Sequence, residues 1–169
     1  GLEALLGMLK QKGVPLSDIR AVSGSGQQHG TVYLNESFLS PATWNTTSGL
    51  AEMTRPLLSR PVAPIWMDSS TSEECREITE AVGGPDYVQT TTGSPAVERF
   101  SGPQIRRFWK TDPDAYENTA VIHLVSSFMA SILAGESAPI DHGDGAGMNL
   151  LNLKTGDWDN AMVEATAPE

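Results

Sequence analysis

The sequence predicts an α/β domain, in which short strands alternate with helices along the chain. Two observations support this class: amphipathic stretches with recognisable helix ends recur, and short β-branched or apolar runs lie between them. No segment repeats at the period of a solenoid, and alternating strands and helices are typical of α/β folds. With 169 residues, the chain has the length of one domain or of a large piece of one.

The first predicted elements are a helix and two strands joined by a glycine-containing loop. One face of the helix carries four leucines, Leu2, Leu5, Leu6 and Leu9, and Gly13 closes it. Residues 18–26 (DIRAVSGSG) predict a strand that enters the loop, and residues 31–35 (TVYLN) predict a strand that leaves it. Residues 36–60 are polar and contain prolines, which predicts an irregular connection with room for one short helix.

The middle of the chain predicts a strand that runs into a well-capped helix. Residues 63–68 (APIWMD) form the apolar run, and Ser70 and Glu73 then fit a capping box. Gly83 fits the end of this helix, and one face of it carries Cys75, Ile78 and Val82. We therefore expect Cys75 to be a small buried hydrophobic residue.

The second half repeats this pattern of a strand followed by a helix. Ser101 predicts an N-cap, with Pro103 in the first turn and Gln104 closing a second capping box. Residues 119–127 predict a buried strand, and the following helix ends at Gly135. Residues 138–159 predict strands around glycine-rich turns, and a helix begins before the polar C-terminal residues.

The charge of the chain disfavours polyanionic partners. Its 21 acidic residues against 11 Lys and Arg give a formal charge of −10, which repels a nucleic-acid backbone. A neutral ligand meets no such penalty. The single cysteine fits a reducing compartment, and we find neither a secretory signal nor an apolar run near the ~20 residues that span a bilayer. We therefore predict a cytoplasmic protein without membrane partners, in which the sequons at Asn35 and Asn45 are chance matches.

The glycine loop does not fit the known phosphate-binding patterns. Gly24, Gly26 and Gly30 are spaced one residue too far apart for the dinucleotide fingerprint, and a predicted strand follows where that fingerprint needs a helix. A P-loop is excluded because no Gly-Lys-Ser/Thr is present. Dinucleotide-dependent oxidoreduction is thus only a weakly supported interpretation of the chain.

The polar residues of the loop suit hydroxyl groups. Gln27, Gln28 and His29 follow a predicted strand and carry both donors and acceptors, whereas phosphates need donors only. From these residues alone, a sugar-binding loop and a purely structural turn both stay open. Trp66 fits either the core or the C–H face of a sugar, and Arg99 fits either a surface cation or a fork of hydroxyl donors.

Other catalytic patterns find no support in the sequence. The three histidines His29, His123 and His142 have no ligand spacing for a metal, and His123 lies in an apolar strand, where we expect a core residue. The stretch from Asp141 to Asn152 lacks the glutamate that ends a calcium loop. Asp141 and Asp144 fit turn-forming carboxylates better than an acid–base pair, and no Gly-x-Ser-x-Gly elbow occurs.

Five blocks in a fixed order connect the chain with a known family. They are SGSGQQHGTVYL, PIWMDSST, TTGSPAVERFSGPQIRRFW, HLVSSFMASILAG and APIDHGDGAGMNLLNL. This series resembles the FGGY family of carbohydrate kinases, in the eukaryote-like branch that phosphorylates D-xylulose, from about residue 15 to the end. The resemblance implies a ribonuclease-H-like, actin-like α/β fold, with a mixed sheet, flanking helices and an active site between two domains.

The resemblance also implies which residues bind the sugar. It assigns ketose contacts to Gln28 and His29 of the GQQHG segment and to Arg99 of the ERF segment. Trp66 and Asp68 of the WMD segment match positions near the same cleft. Pro95 and Val97 depart from the family, in which Arg and Tyr are expected, so the fine shape of the sugar pocket is in question.

The family pattern further implies that residues 1–169 are an N-terminal, sugar-binding domain that is incomplete at both ends. The first strand, with its Asp-x-Gly-Thr phosphate motif, and the C-terminal domain, with the ATP site and the catalytic base, are expected outside this sequence. We therefore expect no catalytic residue and no metal site in the chain, and no turnover by it alone. The complete enzyme is expected to use ATP and Mg²⁺ to phosphorylate D-xylulose.

Two further expectations concern partners. The missing C-terminal domain is the expected partner of this domain, and a homodimer is compatible with the sequence, which does not decide the oligomeric state. The competing function, from another class, is a non-catalytic sugar-binding or interaction module of natural short length.

Overall fold

A computed structural model describes residues 1–44 and 48–168. The helices are α1 Leu2–Gln11, α2 Leu50–Thr54, α3 Ser72–Ala81, α4 Pro85–Thr92, α5 Ser101–Thr111, α6 Pro113–Glu117, α7 Val125–Ala134, α8 His142–Ala146 and α9 Asn160–Thr166. The strands are β1 Thr31–Leu34, β2 Val121–Leu124, β3 Leu151–Asn152 and β4 Asp157–Trp158, and short 3₁₀ turns occur at Leu16–Asp18, Glu36–Leu39, Pro41–Trp44 and Arg55–Leu57. The predicted chance sequon at Asn45 lies outside the described residues.

The strands form two small sheets. β1 pairs with β2 so that Thr31 lies opposite Leu124 and Leu34 opposite Val121. β3 and β4 form a separate hairpin. Both pairs are antiparallel, so the mixed character expected of the sheet is not seen within residues 1–44 and 48–168.

The core lies on both sides of β1. Tyr33 faces a cluster to which α3, α4, α5, α9, β2 and the segment between α8 and β3 contribute, through Ile78, Val88, Ile105, Phe108, Leu124, Met148, Leu150, Met162 and Ala165. The alternate residues Val32 and Leu34 face a second cluster with Phe38 and Leu57. Because Phe38 is fully buried there, its truncation to alanine should cost about 3–5 kcal/mol of folding free energy.

Several predicted elements are confirmed. α1, β1, α3, α5, β2 and α7 all lie where the sequence patterns place them. Gly13, Gly83 and Gly135 follow their helices with φ of 71°, 90° and 73°, a conformation that glycine adopts without strain.

Two predicted strands are wrong. Residues 18–26 and residues 63–68 contain no strand. A strand is defined by hydrogen bonds to a neighbour, and neither run has a sheet partner among the described residues, so a suitable apolar composition was not sufficient. In the region 138–159, predicted as strands alone, α8 precedes the β3–β4 hairpin.

Both capping boxes are also wrong in detail. The N-cap of α3 is Thr71, whose side chain makes no capping bond, and that of α5 is Phe100. Ser70 and Gln104 are used elsewhere, in bonds to Asp68 and to the Glu98 carbonyl. On α3, Glu74 is buried whereas Cys75 is only half-buried, which corrects the expectation of a buried thiol. Partial burial still raises the pKa of Cys75 to about 11.

Candidate functional site

The glycine loop is attached to the start of α7. A Cβ atom placed on Gly26 would lie 2.4 Å from the backbone nitrogen of Ser126, so only glycine fits at this position. The Gly30 carbonyl accepts a hydrogen bond from the Val125 N–H at 3.1 Å. β1 begins directly after the loop, at Thr31. A strand after the loop confirms that this is not a dinucleotide fingerprint, which requires a helix there.

His29 sits at the end of this loop in a backbone conformation that non-glycine residues seldom adopt. Its φ is 62°, and its side chain is half-buried. Nδ1 lies 3.2 Å from the carbonyl oxygen of Gly147, just after α8. The imidazole ring also packs on the ring of Phe100, with 4.6 Å between the centroids. Contacts from two other segments thus hold the His29 ring in place.

These contacts set the protonation of the His29 ring. Burial lowers the pKa of His29 below its usual 6.5, the bond to Gly147 opposes this, and the charge of Arg99 adds a smaller lowering effect. The imidazole is therefore neutral at neutral pH. Since a carbonyl oxygen only accepts, Nδ1 carries the proton and Nε2 is left as an acceptor. An acceptor of this kind suits a hydroxyl group.

A cavity of about 680 Å³ brings together four of the five predicted sugar-binding residues. Gln28, His29, Trp66 and Arg99 all line it. The rest of the wall comes from the end of α4, the start of α5 and the region after α8, through Thr92, Gly93, Ser94, Phe100, Ala146, Gly147 and Leu153. Pro95 and Val97, which depart from the family pattern, are not among these lining residues.

Arg99 presents unused donors to this cavity. It makes no ion pair or hydrogen bond with any residue in 1–44 or 48–168, and its guanidinium lies 5.6 Å from the centroid of the Phe100 ring. The preceding residue is fixed, because the Glu98 carbonyl accepts bonds from Thr71 Oγ1 at 2.6 Å and from Gln104 Nε2 at 2.9 Å. A planar fork of donors on an anchored segment is suited to neighbouring hydroxyls.

Trp66 and Gln28 complete the polar and flat surfaces of the site. Trp66 is 53% exposed and belongs to neither core cluster, so its indole face is available to a ligand. Gln28 is exposed on the loop and lines both this cavity and a smaller neighbouring one of about 210 Å³. The smaller cavity also contains Ser126, whose hydroxyl donates to Asp144 Oδ2 at 2.5 Å.

Asp68 does not line the cavity. Its Oδ1 accepts bonds from the backbone nitrogen and the hydroxyl of Ser70, at 2.8 and 2.5 Å. The bonds from Ser70 hold the pKa of Asp68 below its usual value, although burial opposes them. In this structure the carboxylate therefore closes the turn that leads into α3.

Sequence reasoning missed the wall contributed by residues 92–94 and 146–153. The sequence does contain a pattern that predicts a turn at residues 92–94. Pro85, which follows a glycine, marks the start of α4, and Gly93, which follows a polar run, marks its end. Gly93 ends that helix with φ of 80°. No comparable signal shows that the region after α8 contacts His29, because that contact joins residues far apart in the sequence.

A second cavity of about 680 Å³ lies between β2, α5 and α9. Apolar side chains such as Ile105, Met148 and Leu150 dominate its lining, and it contains none of the predicted sugar-binding residues. It offers few groups that could pair with hydroxyls. The site around His29 is therefore the better candidate.

Neither a metal-binding cluster nor a membrane-spanning helix occurs among the described residues. Within residues 1–44 and 48–168, no three His, Cys, Asp or Glu side chains come together in a way that could hold a metal ion. Over the same residues, no helix has both the length and the apolar character needed to cross a membrane.

Comparison with known proteins decides the family. The model of the FGGY family of carbohydrate kinases, N-terminal domain, matches residues 43–169. The chain belongs to the FGGY family of carbohydrate kinases. The resemblance seen in the five sequence blocks is thereby confirmed.

Curated relatives of this FGGY chain include xylulose kinases. Xylulose kinase of Rattus norvegicus is 43% identical over 99% of the chain, and xylulose kinase 2 of Arabidopsis thaliana is 44% identical over 98% of it. The matched regions are 31% and 30% of those two proteins. The chain thus spans about three-tenths of the length of these relatives.

Solved structures show the same fold at much lower identity. The chain matches xylulose kinase from Rhodospirillum rubrum with a TM-score of 0.75 at 17% identity, over 97% of the chain and 30% of that protein. It matches Plasmodium falciparum glycerol kinase with a TM-score of 0.72 at 16% identity, over 98% of the chain and 31% of that protein. The predicted ribonuclease-H-like, actin-like fold class is confirmed.

Proposed function

We propose that this chain forms the sugar-binding part of the N-terminal domain of a pentulose kinase that phosphorylates D-xylulose to D-xylulose 5-phosphate. The observation that supports this is the convergence of Gln28, His29, Trp66 and Arg99 on one cavity. These residues come from three separate segments of the sequence. They meet where the glycine loop, the turn before α3 and the start of α5 face one another.

The groups in the cavity complement a polyol. The neutral His29 ring offers an acceptor at Nε2, Arg99 offers unpaired donors, and the Gln28 amide offers both. A sugar hydroxyl donates one hydrogen bond and accepts others, so it can satisfy such a mixture. Trp66 supplies a flat surface for the C–H face of the sugar ring or chain.

The role of the chain in catalysis would be orientation. Fixing the hydroxyl that receives the phosphoryl group lowers the entropic cost of the reaction, and closure of the site excludes water as a competing acceptor. We place Asp68 behind this site, where it closes the turn that leads into α3, rather than in contact with the sugar.

ATP with Mg²⁺ would supply the phosphoryl group in the whole protein. Within residues 1–44 and 48–168 no three metal-ligating side chains come together, and the family resemblance implies that the ATP site lies in the C-terminal domain. The catalytic base and the nucleotide site belong, in our proposal, to a further domain, and this chain alone would not turn over.

The competing interpretations are less well supported. Curated relatives over 40% identical are named xylulose kinases, which does not favour a non-catalytic binding module. The strand after the glycine loop removes the dinucleotide interpretation. A cytoplasmic location and a homodimer stay predictions.

The test uses the full-length protein and three ligands: D-xylulose, D-ribulose and glycerol. Saturation-transfer NMR reports binding, and ADP release with ATP and Mg²⁺ reports turnover. We expect selective binding and phosphorylation of D-xylulose, and weaker binding by about 1–3 kcal/mol in His29→Ala, which loses a buried polar contact. His142→Ala is the matched control, because His142 is exposed and lies outside the site. Wild-type affinity in His29→Ala would contradict the proposal.

A further inference from the structure

A buried asparagine supports the part of the cavity wall formed by Thr92 and Ser94. Asn149 is 1% exposed and has φ of 59°, a left-handed conformation that Asn tolerates better than most residues. Its Nδ2 lies 3.0 Å from Thr92 Oγ1 and 3.1 Å from Ser94 Oγ. Both of these hydroxyl residues line the cavity. One amide thus spans the turn at Gly93.

The direction of these bonds follows from the single proton of each hydroxyl. Thr92 Oγ1 lies 2.9 Å from the Val88 carbonyl and 3.1 Å from the Ser94 carbonyl, and its one proton is directed at these carbonyls, since carbonyls only accept. Towards Asn149 it is therefore an acceptor. This fixes the amide with its NH₂ group towards the two hydroxyls, and Oδ1 has no hydrogen-bond partner among the described residues.

The consequence concerns Ser94. The Asn149 NH₂ group donates one N–H to Thr92 Oγ1 and the other to Ser94 Oγ. Towards Asn149, Ser94 Oγ is therefore an acceptor. Its own proton is not used by any residue in 1–44 or 48–168. Ser94 is half-buried in the cavity wall, near Arg99 and Phe100.

We propose that Ser94 contacts the sugar directly, as a hydrogen-bond donor to one of its oxygens, and that Asn149 is the positioning residue that holds this donor in place. This rests on the proposed sugar site. It adds a neutral donor to the cavity in which His29 Nε2 is an acceptor. A ligand that fills the cavity would then need an oxygen to accept from Ser94 and a hydroxyl to donate to His29.

Two substitutions in the full-length protein test this assignment. Ser94→Ala removes the donor and should raise the Kd for D-xylulose about tenfold. Asn149→Asp keeps the shape of the side chain and tolerates the same backbone conformation. A carboxylate, however, accepts a hydrogen bond from the Ser94 hydroxyl, so the Ser94 proton points towards residue 149 and away from the cavity. Asn149→Asp should therefore raise the Kd by a similar factor. Kd is measured by isothermal titration calorimetry, and thermal unfolding reports whether each variant folds.

A double-mutant cycle separates positioning from a general structural role. If Asn149 acts through Ser94, Asn149→Asp has no further effect on Kd in a Ser94→Ala background. An effect of Asn149→Asp on Kd through general structure or charge would persist in the Ser94→Ala background. Ser17→Ala and Asn160→Asp are matched controls on exposed residues outside the cavity, and they should leave Kd unchanged.

The outcomes distinguish this inference from the proposed function. If the wild-type protein binds D-xylulose and Ser94→Ala binds it within twofold as well, Ser94 is not a ligand contact and the sugar site stands. An undiminished effect of Asn149→Asp in the Ser94→Ala background overturns the positioning role. A wild-type protein that binds no pentulose overturns both the proposed function and this inference.

Discussion

The ring of His29 and the backbone of Gly147 are joined by a hydrogen bond of 3.2 Å, although 118 positions separate them in the sequence. This bond has two effects. It places the proton of the imidazole on Nδ1, and it fastens the glycine loop to the region after α8. A Cβ atom on Gly147 would lie 3.3 Å from His29 Cε1, so the two segments are already in close contact. The chemistry of the site thus depends on a long-range contact.

The first prediction concerns the close approach of the glycine loop to α7. Gly26→Ala should distort the loop and weaken D-xylulose binding, because its Cβ would overlap the backbone at Ser126. Gly24→Ala is the matched control, since nothing lies within 4 Å of a Cβ there. Thermal unfolding and ligand titration of both full-length variants check this. Equal behaviour of the two would contradict the geometry of the loop.

The second prediction concerns the donor fork of Arg99. Arg99→Lys should raise the Kd for D-xylulose about tenfold, because the three donors of a lysine ammonium do not reproduce the planar, rigid fork of the guanidinium. Arg55→Lys is the control, since Arg55 is exposed and lies outside the cavity. Isothermal titration calorimetry gives the comparison. An Arg99→Lys protein with wild-type affinity would show that the guanidinium makes no paired contact.

The third prediction separates a structural from a binding role for Asp68. Asp68→Ala removes the acceptor of two bonds from Ser70, so we expect a loss of about 1 kcal/mol of stability and a Kd for D-xylulose within twofold of wild type. A tenfold loss of affinity would instead support direct contact between Asp68 and the sugar.

The stabilisation by Asp68 should also depend on pH. The pKa of its carboxyl is lowered in the folded protein, so its contribution is complete above the ordinary value near 3.8 and is lost as pH falls through the lowered pKa. Thermal unfolding between pH 3 and pH 7 should therefore show the difference between wild type and Asp68→Ala shrinking at the acid end.

The fourth prediction concerns His123, which confirms the expectation of a core histidine. It is 4% exposed, its Nδ1 has no hydrogen-bond partner within residues 1–44 and 48–168, and its ring meets Phe38 edge-on at 5.1 Å. Burial lowers its pKa below 6.5, so as pH falls below 6.5 the unfolded chain binds a proton that the folded chain resists. Stability should fall across that range, and His123→Phe should reduce this fall.

Measurement of the unfolding temperature between pH 8 and pH 5 tests this. His123→Phe should equal or exceed wild type at pH 8, because it removes a buried polar atom that lacks a hydrogen bond. Some pH dependence should remain, since burial also lowers the pKa of His29. His142→Gln controls for the loss of a histidine at an exposed position. An unchanged slope in His123→Phe would contradict the lowered pKa.

Local chemistry was predictable from the sequence. The spacing of the loop glycines, the strand after them and the mixed donors and acceptors of Gln28 and His29 disfavoured a phosphate site, and the family resemblance pointed to a sugar site. Helix ends at Gly83 and Gly135 were also visible. These features depend on residues close in sequence, where turn and cap preferences decide the conformation.

Features set by distant contacts were not predictable in the same way. The run at 18–26 has a strand-like composition, but strand formation requires a partner, and none lies beside it in the described residues. Ser94 lines the cavity and accepts a bond from Asn149, which lies 55 positions later in the sequence. Asp68 has the right chemistry for a sugar contact, but its nearest donors are those of Ser70, two residues away.

The wall of the cavity runs from Gln28 to Leu153 in the sequence, which has a consequence for folding kinetics. Contacts between residues so far apart in the sequence form slowly, because the chain loses conformational entropy in closing the long loop between them before the contacts stabilise it. The ability to recognise the sugar should therefore be among the last properties gained as the chain folds. In refolding experiments, recovery of ligand binding should lag behind recovery of helical circular dichroism.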